Sequence, residues 1–386
     1  MSKPSFQEWF CLREGRKNFQ IDPVKDQQHL FGEPEWETEI DSRLRQSQLL
    51  STPVRLVWWG QYGIGKTHRL HHTEFLVREK GYSYLPVYAR ATDIQEKTGF
   101  DRLHYELVNS LGREEMQNVV SSYLLKLRNG TPGIPVLKEV SGNSSDVESA
   151  LKSFGGDNEK LVLPAWRFLC GLKLKGTDLE LANVARDCLD NSAEFSAVLS
   201  ALATIIQIET GKELLFLVDE VENLSKISNK SAEARWNESL RALLDLQNVG
   251  VVFAIGAERQ EGIPKLVLSP DVVRRFQRDN YLHMEAYKPP VARNFVRGML
   301  SAWIDADKRS AAELTEKLAS LAADYDPQFY PFTQGGFDKF CEWAVVDQRT
   351  AKPSEILSRL NNVAAEAYWR DKRLFNKDLL TDLGIA

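Results

Sequence analysis

Residues 53–67 read P-V-R-L-V-W-W-G-Q-Y-G-I-G-K-T. The first seven form a short apolar run that opens directly into glycines, the pattern of a buried strand entering a tight loop. The remainder, G-Q-Y-G-I-G-K-T, fits the spacing G-x-x-x-x-G-K-[ST] in full. Such spacing suits a polyphosphate, because backbone N–H groups must turn inward around its oxygens. Glycines permit this by accepting positive φ and by carrying no Cβ. A helix beginning near Lys66 adds the positive end of its dipole. On this reading Gly60, Gln61, Tyr62, Gly63, Ile64, Gly65, Lys66, Thr67 and His68 line a nucleotide cradle. Lys66 holds the β and γ phosphates of a triphosphate, and the Thr67 hydroxyl ligates Mg²⁺. The bland alternative is a glycine turn that holds no ligand.

Residues 214–220, L-L-F-L-V-D-E, deliver two carboxylates at the end of another apolar run. In open α/β sheets ligands collect at the carboxyl ends of strands. Asp219 is the candidate contact to the magnesium, usually through water, and Glu220 the candidate to polarise the attacking water. Alone, the stretch is equally the ordinary end of a strand in an acidic turn; the upstream loop gives it weight.

Apolar spacing sets the other elements. A helix is expected over residues 66–80, stopped by Gly81, then a strand over 83–89 whose Pro86 favours an edge. Phe195, Val198, Leu199, Leu202, Ile205 and Ile206 recur at helical spacing up to Gly211, as do Trp236, Leu240, Leu243 and Leu244, with strands over 249–256 and 281–284. Strands alternating with helices predict an α/β fold with a parallel sheet covered on both faces. After Pro289 and Pro290 only the 3.6 period remains, in Phe295, Val296, Met299, Leu300 and Trp303, in Leu314, Leu318 and Leu321, and in Ile356, Leu360, Val363 and Ala367. The expected organisation is a lead-in over 1–50, a core over 51–285 with a helix-rich insertion at about 91–190, a helical lid over 286–370 and a tail over 371–386. Within the insertion, residues 129–157 are rich in Gly and Ser and read as a mobile surface loop.

Composition narrows the class. The 386 residues carry 49 Lys and Arg against 54 Asp and Glu, a formal charge of −5, with 43% apolar and 27% charged residues. These proportions exclude collagen-like, disordered and membrane-spanning chains, and the acidic balance gives no general affinity for nucleic acid. Cys11, Cys170, Cys188 and Cys341 stand far apart with no C-x-x-C pair, so they read as idle or buried thiols of a reducing compartment. The first 20 residues lack a signal-length apolar stretch, and Glu8 and Glu14 argue against a transit peptide. The expected location is the cytoplasm, with no membrane partner. Apolar runs at 214–218 and 251–257 are too short to cross a bilayer.

The phosphate loop with the acid-ended strand resembles the AAA+ ATPases, and the likeness extends over about residues 31–369. Residues 31–44 (F-G-E-P-E-W-E-T-E-I-D-S-R-L) resemble the segment that lies over the adenine in that class. Residues 269–276 (S-P-D-V-V-R-R-F) resemble the box that offers an arginine finger to a neighbouring subunit, here Arg274 or Arg275. The helical half with residues 350–356 (T-A-K-P-S-E-I) is similar to the lid of the origin-recognition and replication-initiator group. Residues 165–172 (A-W-R-F-L-C-G-L) look like the Trp-x-x-Leu-x-Gly element of BREX-type phage-defence ATPases. The resemblance implies a P-loop NTPase αβα sandwich followed by a helical lid, and hydrolysis of ATP with Mg²⁺. It also implies self-association through the ATP site. The implied setting is a bacterial phage-defence or transposition system, touching DNA directly or through a partner and controlling a nuclease, methyltransferase or transposase. Rival readings are a nucleotide-stabilised scaffold that does not hydrolyse, and a signalling ATPase that senses a phage component.

Two departures stand against the pattern. The strand over 249–256 should end in a polar sensor, yet Gly256 and Ala257 come first, leaving Glu258 or Arg259. Ser354 follows Pro353 where the lid pattern places an arginine, leaving Arg349, Lys352 or Arg359 to reach the phosphates. Residues 219–222 lack an Asp-x-x-Gly element and residues 229–232 lack the terminal Asp of a guanine-reading motif, so a guanine-nucleotide switch is disfavoured.

Other signals read as structural. His68, His71 and His72 form a helix face turned to solvent in preference to a zinc site, since no third ligand follows at a plausible spacing. Trp58 and Trp59 pack on opposite faces of a strand. The aromatic and basic stretch 368–375 reads as a solvated helix end. Only about 16 residues follow Arg370, which leaves no room for a winged-helix domain.

Overall fold

The computed structural model describes residues 3–316, 322–345 and 350–385. Contacts divide the chain into two compact units. One holds Ile40–Gly60 and Leu70–Met284; the other holds Met1–Glu39, Gln61–Arg69 and Glu285–Ala386.

The first unit is built on a five-stranded parallel sheet of β1 (Arg55–Gly60), β2 (Tyr84–Arg90), β3 (Glu213–Asp219), β4 (Val249–Gly256) and β5 (Tyr281–His283), in the order β2-β3-β4-β1-β5. This is the α/β class that the alternating pattern predicts. Every residue of β4 is buried, as a strand covered by helices on both faces requires. β2 lies at an edge, where Pro86 is tolerated. Trp58 is fully buried, whereas Trp59 is partly buried and stacks on His283 with ring centroids 4.0 Å apart. Helix Ser192–Thr210 starts under an Asn191 cap that accepts from Glu194 N–H and stops at Gly211, φ +70°. By length and composition it is apolar enough to cross a membrane; here its Val198, Leu199, Leu202, Ile205 and Ile206 are buried in the core of this unit. Arg55 is buried too, donating from Nη2 to the carbonyls of Leu244 (3.0 Å) and Leu246 (2.7 Å) at the C-terminus of helix Lys230–Asp245. The helix dipole supplies the compensating negative charge there, and burial brings the guanidinium down to about 10.

The mobile loop expected over 129–157 is corrected. Helices Leu137–Val140 and Ser145–Phe154 occupy it, and Leu137, Val140, Val147, Ala150, Leu151 and Phe154 are buried. Val147, Ala150, Leu151 and Phe154 recur at i, i+3, i+4 and i+7, so one face of the second helix is apolar despite its Gly- and Ser-rich flanks. Ser144 serves as its N-cap, accepting from Val147 N–H. Phe154→Ala is therefore expected to lower the unfolding free energy by about 3–5 kcal/mol, measurable as a drop in urea midpoint; a surface loop would tolerate the change.

His104 sits in the same core with no exposed surface. Its Nε2 pairs with the Leu169 carbonyl at 2.8 Å, and Nδ1 has no hydrogen-bond partner. Burial holds the imidazole neutral, down to about 4. The unfolded chain, with a pKa near the ordinary value of about 6.5, binds the proton first. Stability contributed by the neutral ring is thus complete above about pH 6.5 and is lost as the pH falls towards 4. Chemical denaturation at pH 7 and pH 4.5 should show His104→Gln losing on the order of 2 kcal/mol less stability across that interval than the parent.

The second unit is helical in its C-terminal part: Pro289–Trp303, Ala306–Glu316, Gln334–Val345, Pro353–Trp369 and Lys377–Asp382. Phe295, Met299, Trp303, Phe340, Ile356 and Leu360 form its core with Phe10 and Phe19 from the N-terminal segment. Leu318, Leu321 and Arg349 lie outside the described residues. The stretch 368–375 departs from a solvated helix end, because Leu374 and Phe375 are buried in this core while Trp369 stays 74% exposed. Leu379 and Leu380 extend the same core, so the expected tail is packed.

Candidate functional site

The phosphate loop begins where β1 ends at Gly60, and its helix, Lys66–Glu79, begins six residues later. Gly63 and Gly65 adopt φ +80° and +92°, the left-handed region that a residue with a side chain enters at a cost. Gly63 is also closed to a side chain by packing: an added Cβ would run into Ser354 Oγ, and Ser354 N–H donates to the Gly63 carbonyl at 3.3 Å. Lys66 is buried, its Nζ donating to Gln61 O at 3.0 Å and lying 5.4 Å from the Tyr62 ring centroid. Ile64 is buried and Tyr62 is 66% exposed. Arg69 braces the loop from behind, donating to Ile64 O at 2.6 Å and pairing with Glu33. Two positive-φ glycines followed by a lysine at a helix N-terminus form a cradle of donors that fits a phosphate chain.

The histidines differ from the solvent-facing set expected. His68 and His72 are buried. His68 Nε2 lies 3.2 Å from the Asp26 carbonyl, and its ring is parallel to Phe31 at 6.4 Å. His71 stacks on Tyr88 at 4.4 Å and contacts Glu74 at 3.3 Å. Sequence spacing around the helix did not reveal Asp26, Phe31 or Tyr88, which come from other segments. Phe31 stacks on His29 and His68 and lies T-shaped to Phe295 and Trp303.

Asp219 is buried at the end of β3. It accepts from Tyr88 Oη at 3.1 Å and from Glu220 N–H at 2.9 Å. Burial first, and the nearby Asp219 charge second, push the Tyr88 hydroxyl above its ordinary range, so it stays a donor. Glu220 takes a left-handed backbone conformation, φ +59° and ψ +30°, and its carboxylate pairs with Arg90, the residue in register with Asp219 on β2. Sequence reading passed over Arg90 and Tyr88; their place at the end of the neighbouring strand was the available signal.

At the end of β4, Glu258 and Arg259 are exposed, while Gly256 N–H donates to Glu222 Oε2 at 2.7 Å. Of the lid candidates, Lys352 lies 3.3 Å from Glu355, and Arg359 donates to the Trp343 carbonyl at 2.7 Å. On helix Pro270–Phe276, Arg274 is exposed. Arg275 makes a two-pronged pair with Asp245, Nε and Nη2 each at 2.7 Å, and donates to Asp271 O. The Arg275 hydrogen bond holds the Asp245 carboxyl below its ordinary range.

No family model matches the chain, and no curated protein matches it. It is similar to solved structures. The Aeropyrum pernix ORC2 protein in ADPNP–ADP complexes shares 11% identity over 96% of this chain and 71% of that chain, TM-score 0.48. The Aeropyrum pernix ORC1 protein in complex with DNA shares 13% over 94% and 67%, TM-score 0.42. A Walker-type ATPase of Pyrococcus abyssi shares 11% over 92% and 77%, TM-score 0.38.

Proposed function

We propose that the protein is an AAA+ switch that binds and hydrolyses ATP. The observation that carries this reading is the phosphate cradle, Gly63 and Gly65 at positive φ ahead of Lys66 at a helix N-terminus. Gly60, Asp219 and Gly256 are also the last residues of three neighbouring parallel strands, and open α/β sheets take ligands at the carboxyl ends of their strands. Magnesium would supply charge neutralisation on the phosphates when bound with ATP; Thr67 and Asp219, both hard oxygen donors, are the residues that would hold it. Lys66 binds the phosphates. Glu220, once released from Arg90, takes a proton from the attacking water. Calorimetry with ATP, and phosphate release by the wild type beside Glu220→Gln, test the assignment. Equal and slow release by both proteins, with DNA and partners present, overturns hydrolysis and favours the nucleotide-stabilised scaffold, a reading supported by the Arg90 pair that holds Glu220.

The reading extends to assembly. Arg274, exposed and next to an arginine already committed to Asp245, is the finger offered to a neighbouring copy's ATP. Arg274→Ala is expected to reduce phosphate release at least about tenfold at protein concentrations that favour assembly, with melting temperature unchanged. Arg275→Ala should instead lower the melting temperature, because it removes the two-pronged pair with Asp245 and the bond to Asp271 O. A DNA-directed bacterial system with a nuclease, methyltransferase or transposase effector is the setting we assign. Pull-down with the Glu220→Gln protein identifies the effector, and sizing with ATP, with and without duplex DNA, separates a DNA-loaded assembly from a sensor that assembles without DNA.

A further inference from the structure

The turn after β3 carries Glu220, and it is fastened on both sides. Glu220 itself is left-handed, so the chain reverses sharply into the 3-10 turn Val221–Lys226. From that turn Asn223 Nδ2 donates to the Ala91 carbonyl at 2.9 Å, just past the end of β2. On the other side the Glu222 carboxylate accepts the Gly256 N–H at 2.7 Å, at the last residue of β4. Gly256 is in register with Gly60, the residue from which the phosphate loop departs, and Ala257 N–H donates to Gly60 O at 2.9 Å. One carboxylate thus joins the Glu220 turn to the strand end beside the start of the loop.

We infer that Glu222 is a positioning residue: its carboxylate, clamping the Gly256 N–H at the end of β4, fixes where Glu220 stands. Gly256 and Ala257 have no side-chain hydrogen-bonding group, and here the neighbouring Glu222 supplies an acceptor. A carboxylate acceptor on a backbone N–H makes a charge-assisted bond, stronger than a neutral one. The left-handed conformation of a glutamate is strained and persists only if its surroundings hold it, which the two fastenings do. This role rests on the ATPase reading for its catalytic consequence and on the hydrogen bond alone for its structural one.

The test reads both in the full chain. Glu222→Ala removes the acceptor, whereas Glu222→Gln keeps an oxygen that can accept from Gly256. In nucleotide-free protein, amide exchange at Gly256 should accelerate at least about tenfold in Glu222→Ala and stay near wild type in Glu222→Gln. In steady-state hydrolysis Glu222→Ala should lose at least about tenfold in kcat with KM for ATP within about twofold, and Glu222→Gln should restore kcat to within about threefold of wild type. Unchanged exchange at Gly256 in Glu222→Ala overturns the clamp whatever the hydrolysis rate. Responsive exchange with wild-type kcat in Glu222→Ala overturns the positioning role. A wild type that releases no phosphate while exchange responds as expected defeats the ATPase reading, and with it the positioning role, and leaves the clamp standing.

Discussion

Glu220→Gln is expected to lower steady-state phosphate release by about 10²–10⁴-fold, the usual range for loss of a general base, while ATP affinity stays within a few fold. The amide keeps the shape of the side chain and its place on the left-handed turn, so the loss isolates proton acceptance from folding. It also dissolves the charge component of the pair with Arg90. If that pair restrains hydrolysis in the resting protein, Arg90→Ala should move the rate the other way, raising release by several fold, with no effect in the Glu220→Gln background. Phosphate release measured on the four proteins of this cycle checks both signs; a loss in Arg90→Ala would overturn the restraint, and undiminished release in Glu220→Gln would remove Glu220 from the chemistry.

The second large effect is on binding. Lys66→Ala removes a buried ammonium that the proposed site sets against the β and γ phosphates. Truncating one partner of a buried charge pair costs about 2–5 kcal/mol, so ATP affinity should fall on the order of a hundredfold or more. Titration calorimetry of ATP against wild type and Lys66→Ala measures this directly. The ammonium also donates to the Gln61 carbonyl, a neutral acceptor; melting temperature measured beside affinity separates loss of that bond from loss of phosphate binding. Equal ATP heats for the two proteins would sink the cradle.

What could be read from the sequence was whatever depends on near neighbours. The run over 249–256 is uninterrupted and strand-sized, and β4 has those bounds. The helix after the phosphate loop begins at Lys66 as its spacing requires. Pro86 placed its strand at an edge. What stayed hidden depends on residues far apart in the chain. The Gly- and Ser-rich flanks of 129–157 masked four apolar residues on one helix turn set, because composition averages over them. His68 and His72 look polar in isolation, and His68 becomes a buried residue only through Asp26 and Phe31. Glu222, Asn223 and Arg90 fasten the Glu220 turn through strand order and register, which no local spacing encodes. Arg274 and Arg275 are adjacent in sequence, yet only Arg275 reaches Asp245.

The two outer strands of the sheet bear on how copies of this protein can meet. β2 contains Pro86, and β5 is three residues long. Proline in an edge strand and brevity of an edge strand both discourage backbone pairing with a foreign chain. Association by extending the sheet is thereby disfavoured at either end, which guards against amyloid-like stacking in concentrated solution. The self-association proposed above would then run through side chains and loosen as added salt screens exposed charge.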